Sequence, residues 1–323
     1  MTKSKFPFSD LIFPLYSHPI WAFGIFIVLV LMVFSTQYFQ NQLYIEYFAP
    51  VVAVLSILSL ITPIVAFYLY RTFLSLQETV NLLTETNQNE WFVRQKMFTF
   101  GLHPLSVITV TLIAIGGFFT NYYLVWGVWS GVAQFFYFLH VIILFGILGM
   151  LGWAYFGILL FSYRLKYLDF DLEPFETKKY EFDKLNSSFL GIFSSGVILY
   201  LGAASAGWLS FGSYMLEIPI LRYWIFPFAI VVIGFFILIQ YFLHQVMKKA
   251  KEIRVNKFSL LIRKHYREWE NSQSNANSTI INDLLSWKEK IEKESEFPFD
   301  VITFASVVAT VLLPVTKAII DLL

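Results

Sequence analysis

Residues 132–161 read VAQFFYFLHVIILFGILGMLGWAYFGILLF, thirty consecutive positions without an Asp, Glu, Lys or Arg. About 20 apolar residues are enough to cross a hydrocarbon core of roughly 30 Å as a helix. The stretch therefore reads as a membrane span with length to spare for tilting or protruding. Five further runs share its character, at 21–39, 49–70, 104–123, 187–209 and 225–243. The chain as a whole agrees: of its 323 residues 57% are hydrophobic, 20% aromatic and only 14% charged, where a soluble domain carries about a quarter charged residues. The fold class that follows is all-α, a polytopic α-helical membrane protein with six transmembrane helices. Cysteine is absent, which removes disulfides, thiolate metal sites and redox pairs. A net charge of +1 provides no field for nucleic acid.

Lys and Arg orient the spans. Of the 23, two lie before the first span (Lys3, Lys5), three between 71 and 103, five between 164 and 184, and eleven between 245 and 298. The intervening loops hold only Arg222. The positive-inside rule then places the N-terminus and every long loop in the cytoplasm of a cell expected to carry the protein in its cytoplasmic membrane. Tyr122, Tyr123, Trp126, Trp129, Tyr223 and Trp224 mark the outer interface. The N-terminal stretch does not read as a cleavable signal, because its first apolar run exceeds an h-region and no small-residue site follows. Residues 1–16 form a cytoplasmic or interfacial segment, and 17–244 the six-helix domain.

Past the sixth span the helical pattern persists through Met247, Ala250, Ile253, Phe258, Leu261 and Trp269. The polar run Asn271–Ser278 reads as a turn. Ile280, Ile281, Leu284, Leu285, Lys288 and Ile291 then define a second amphipathic helix. Residues 245–298 are thus expected to form a cytoplasmic antiparallel helical hairpin. Phe297-Pro298-Phe299-Asp300 breaks it, and 299–323 reads as a membrane-associated or seventh transmembrane helix. The 71–103 segment, with Trp91, Phe92, Met97 and Phe98, reads as a helix lying on the inner membrane surface.

Chemistry-bearing residues are few within the spans. His140 is the one ionisable side chain well inside a span. Hydroxyls gather on helical faces: Ser56, Ser59 and Thr62 beside Pro63, then Ser106 and Thr109, then Ser195. Together with His140 they are candidates for a polar path. The competing reading is that small and hydroxyl faces let helices approach closely. Lys248, Lys249, Lys251, Arg254 and Lys257, just below the sixth span, are candidate contacts for anionic lipid, against ordinary positive-inside anchoring. Six spans and a cytoplasmic N-terminus resemble the layout of rhomboid proteases. Their Gly-x-Ser-Gly serine has no counterpart, since Phe193-Ser194-Ser195-Gly196 lacks the first glycine. Paired metal-ligand spacings and phosphate-cradling glycine loops are missing, so no catalytic, cofactor or metal residue is expected.

The expectation is a non-enzymatic protein, an oligomeric scaffold, sensor or effector acting through its hairpin. Its partners would be membrane lipids together with its own copies or a cytoplasmic protein. The alternatives are an ion channel or pore gated from the cytoplasm, and an uncoupled carrier of lipid or a small apolar solute.

Overall fold

The computed structural model describes residues 45–84, 89–101, 104–125, 132–168, 175–211, 219–272 and 275–293, with isolated positions in 20–31 and 305–316. The run at 21–39 and the C-terminal segment 299–323 thus lie largely outside the described residues, and the N-terminal segment 1–16 wholly so. The described residues form seven helices and no strand: α1 (Ile45–Leu83), α2 (Asn89–Phe100), α3 (Pro104–Val125), α4 (Val132–Leu165), α5 (Phe175–Phe211), α6 (Pro219–Ser272) and α7 (Asn275–Lys293). Five helical stretches are long and apolar enough to cross a membrane: Ser56–Leu83, Glu90–Phe119, Tyr137–Leu165, Phe182–Gly202 and Pro227–Asn271. The second takes in α2 and most of α3.

Helix directions follow from side-chain pairings. α1 and α5 are antiparallel, with Gly202 against Ile61, Gly191 against Tyr68, and Lys184 Nζ 4.0 Å from Glu78 Oε2. α3 is antiparallel to α4, with Val110 against Gly149 and Phe145 against Gly117. α2 continues that pairing down α4, placing Thr99 at Gly157 and Phe92 5.5 Å from Phe161. α6 runs parallel to α4, Phe235 meeting Tyr155 and Phe242 meeting Tyr163. α4 is the central helix and touches α1, α2, α3 and α6.

Between α2 and α3 the chain is punctuated by Gly101 and Pro104. Gly101 N–H bonds to the Met97 carbonyl at 2.9 Å, and a side chain on Gly101 would run into that carbonyl. Pro104 opens α3, where a missing N–H costs nothing. The stretch read as one surface helix is therefore two different things. Residues 71–83 prolong α1, and α2 is packed into the bundle with Phe92 and Phe100 buried. The cause is visible along α1, where Leu69, Phe73, Leu76, Val80 and Leu83 recur every three or four residues and are all fully buried.

The two ends of the bundle pack differently. One end, here termed the basic end, carries Arg71, Lys96, Arg164, Lys184 and Lys249. Its core is aromatic: Phe73 lies 5.0 Å from Phe92, 5.1 Å from Phe100 and 5.2 Å from Phe161, ring centre to ring centre. Such pairs add about 0.5–1.5 kcal/mol each beyond area burial. Away from this end the helices leave large apolar residues outside. On α3, Val107, Ile108, Leu112 and Phe119 are exposed, Phe119 by 63%. A soluble monomer rarely leaves so contiguous an apolar surface uncovered, whereas a helix bathed in lipid tails does so at no cost.

α6 runs 54 residues without interruption, roughly 81 Å. Only residues 273–274 separate α6 from α7. The polar run at 271–278 contains no Gly or Pro, so helix advances into it from both sides. α7 lies back along α6, burying Ile281 and Ile291, and Lys251 Nζ donates to the Glu292 carbonyl at 2.8 Å.

Candidate functional site

The polar residues singled out within the spans resolve into two interhelical pairs and several locally bonded hydroxyls. Ser59 on α1 meets His140 on α4, Oγ to Nε2 2.7 Å, with both side chains buried. Either atom is the donor, according to the imidazole tautomer. Thr62, one turn along α1, is fully buried and its Oγ1 has no hydrogen-bond partner. Pro63 follows it and withholds the N–H that would otherwise bond to the Ser59 carbonyl. Ser56 is half-buried one turn away.

The second pair joins α4 to α5. Ser195 Oγ donates to the Ile192 carbonyl at 2.6 Å and lies 2.6 Å from Tyr155 OH. With the serine hydrogen committed to the carbonyl, the phenol is the donor. His140 and Tyr155 are 15 positions apart on α4, roughly 22 Å. Ser106 and Thr109 bond within α3 and its approach, to the carbonyls of Gly101 at 3.3 Å and Leu105 at 3.0 Å. The structure thus brings Ser59 together with His140 and Ser195 with Tyr155, and leaves Ser106 and Thr109 bonded to carbonyls of their own segment. Each pair ties α4 to a neighbour, and interhelical bonds of this kind contribute on the order of 0.6 kcal/mol, up to about 2.

Glycines line the same contacts. A methyl group built on Gly149 would lie 2.8 Å from the Val110 Cα, and one on Gly157 would lie 2.9 Å from the Thr99 Cα. Only glycine lets α2 and α3 approach α4 this closely.

Sequence reading missed a third polar group, at the basic end. Arg164 Nη1 donates to Gln95 Oε1 at 2.9 Å and its guanidinium lies 5.9 Å from the centre of the Phe98 ring. Trp153 Nε1 donates to the Phe98 carbonyl at 2.8 Å. Thr99 is buried against Gly157 with no partner for its Oγ1. The signal was present as Phe92, Gln95 and Thr99, spaced by three and four along one face of α2.

The five basic candidates on α6 separate as well. Lys249 Nζ reaches the carbonyls of Lys166 at 3.3 Å and Leu168 at 3.4 Å, capping the C-terminal end of α4. Lys251 does the same for α7 through Glu292. A cation at a helix C-terminus offsets the negative end of its dipole. Lys248 and Lys257 are exposed and Arg254 is half-buried. On α7, Lys293 lies 2.6 Å from Glu289. Their hydrogen bond holds the Glu289 carboxyl below its ordinary range and raises the Lys293 ammonium above its own.

A cleft between α5 and α6, lined by Phe182, Leu185, Asn186, Leu243, Val246 and Met247, encloses about 10 Å³, the lower bound for one water molecule. Among the described residues no three His, Asp or Glu side chains gather as a metal site. No family model matches the chain. Neither does any curated protein or any solved structure.

Proposed function

We propose that the chain is a non-enzymatic integral membrane protein, with its N-terminus and basic end in the cytoplasm of a multi-pass arrangement. It acts as an oligomeric scaffold, sensor or effector through the cytoplasmic pair α6–α7. The observation that carries this reading is the surface of that pair. Beyond the bundle, Ile253, Leu260, Tyr266, Ile280, Leu285 and Trp287 stay exposed, Leu260 by 65% and Trp287 by 45%, among charged neighbours. A helix pair formed only to close the chain would need one apolar seam, which Ile281 and Ile291 already supply. Apolar side chains outside that seam, in a segment rich in Lys, Arg and Glu, favour contact with another protein chain. The interior fits the same division of labour, since Ser59 with His140 and Tyr155 with Ser195 bond to each other across α1, α4 and α5.

The test is photo-crosslinking in intact membranes, with a crosslinker placed at Leu260 or Trp287 and a control at the charged position Asp283. Adducts to a protein, either a second copy or a different chain, are expected from the two apolar positions. Adducts to lipid alone, or a monomer with no adducts, would remove this reading. Ion flux through the reconstituted chain, altered by bulky apolar replacements of Ser59, Thr109 or His140, would establish the channel alternative instead.

A further inference from the structure

At the basic end, α4 finishes in a cluster that none of the foregoing uses. Lys166 follows the last residue of α4, and its Nζ lies 3.9 Å from the centre of the Tyr163 ring and 5.0 Å from that of Tyr167. The two phenol oxygens are 2.9 Å apart. Tyr163 also packs edge-on against Phe242 of α6 at 5.2 Å, which fixes one wall. One phenol donates to the other, so the pair keeps one phenol hydrogen which, with the ammonium, can be offered from one small surface, and Tyr167 is 64% exposed. The end of a helix dipole normally repels an anion. Here Lys249 spends its charge on the carbonyls of Lys166 and Leu168, so that objection is removed.

We propose that this cluster binds the phosphate of one anionic glycerophospholipid, held by Lys166 and Lys248 with the remaining phenol hydrogen of the pair Tyr163 and Tyr167. Lys248 is exposed on α6 two turns beyond Tyr241, which is itself 53% exposed. Charge-assisted bonds from ammonium and phenol suit a phosphate diester, and the tyrosine faces hold Lys166 in place by cation–π attraction. A lipid, rather than a soluble phosphate, is favoured by what lies toward the apolar middle of the same two helices. Phe156 on α4 and Leu238 on α6 are exposed there and would meet acyl chains. The five-residue basic stretch on α6 is thereby narrowed to Lys248, joined by a lysine from α4.

The experiment is native mass spectrometry of the delipidated full-length protein with short-chain phosphatidylglycerol, phosphatidylcholine and glycerol 3-phosphate. Phosphatidylglycerol is expected to bind in preference to the other two. Lys166→Gln and Lys248→Gln should each weaken it about five-fold, from the contribution of one lysine near an anionic headgroup. Lys184→Gln, a basic residue paired with Glu78 on the far helix, should leave it unchanged. The double replacement Tyr163→Phe with Tyr167→Phe keeps both rings and removes only hydroxyls, so weaker binding there is not misfolding. Equal affinity for the two lipids, wild-type affinity in the lysine variants, or glycerol 3-phosphate binding as tightly as the lipid would each overturn the proposal.

Discussion

Replacing Gly149 by alanine tests whether α3 is held to α4 by close backbone approach. The added methyl would sit 2.8 Å from the Val110 Cα, 3.4 Å from its carbonyl oxygen and 3.5 Å from the Ile113 Cβ. Carbon atoms settle at about 3.5–4.0 Å, so α3 must retreat by roughly 1 Å, and the nearest atom is backbone with no rotamer to yield. Overpacking of this kind costs about 1–3 kcal/mol, against a helix-propensity gain of about 0.5–1 kcal/mol for Gly→Ala. The control lies on the same helix: Gly146 has nothing within 4 Å of the equivalent position. Gly146→Ala should therefore be neutral or stabilising by up to about 1 kcal/mol. The two variants should differ by about 1–3 kcal/mol in equilibrium unfolding, followed by tryptophan fluorescence in mixed micelles. Because the chain has no cysteine, a spin-label pair at Leu112 and Ile142, both exposed, can report the α3–α4 separation directly. It should widen in Gly149→Ala only. Equal unfolding midpoints with unchanged separation would refute the close-packing argument.

Three further outcomes are expected. Thr62→Val removes a buried hydroxyl without a partner and keeps its shape, so it should be neutral or stabilising by about 1 kcal/mol, whereas Ser59→Ala should cost about 1 kcal/mol by the same unfolding assay. Trp153→Phe keeps the ring against Phe98 but leaves that carbonyl without its indole donor, and should cost about 1–2 kcal/mol; a cost near zero would show that the bond contributes nothing. The Glu289–Lys293 pair should make α7 most protected, by amide exchange, between the acidic and basic extremes. The Glu289 contribution is present above its unfolded value and lost as pH falls through the folded one. That of Lys293 is present below its unfolded value and lost as pH rises through the folded one. Protection that is flat in both directions would contradict the pairing.

Five long apolar helices were legible because crossing lipid asks only for length and apolarity, and residues 132–161 supply both. What the sequence concealed lies where water and lipid demands meet. Residues 71–83 include Arg71, Gln77 and Glu78, so a hydropathy reading ends α1 at Tyr70. The helix continues because Phe73, Leu76, Val80 and Leu83 form a buried stripe that mean hydropathy does not register. His140 and Ser59 were each conspicuous alone, but their pairing spans 81 residues and depends on α1 and α4 lying side by side. Likewise Lys248, Lys249 and Lys251 are near-neighbours in the chain, yet helical rotation sends two of them to different helix ends and leaves one outside.

On the proposed topology the helices adhere by two kinds of contact. Within lipid, burying a leucine against another leucine gains little over burying it against an acyl chain. Helices there adhere by shape, which is why the contacts along the apolar part of α4 and α5 run through Gly149, Gly191 and Gly202 and through two hydrogen-bonded pairs. Toward the basic end the same helices also pack through aromatic rings, with Phe73, Phe92, Phe161 and Phe189 fully buried against one another. α4 is the element common to both kinds of contact, meeting α3 by glycine and α2 by both Gly157 and Phe161. α4 is thus held along its whole length, by backbone approach at Gly149 and Gly157, by the bonds of His140 and Tyr155, and by the ring of Phe161.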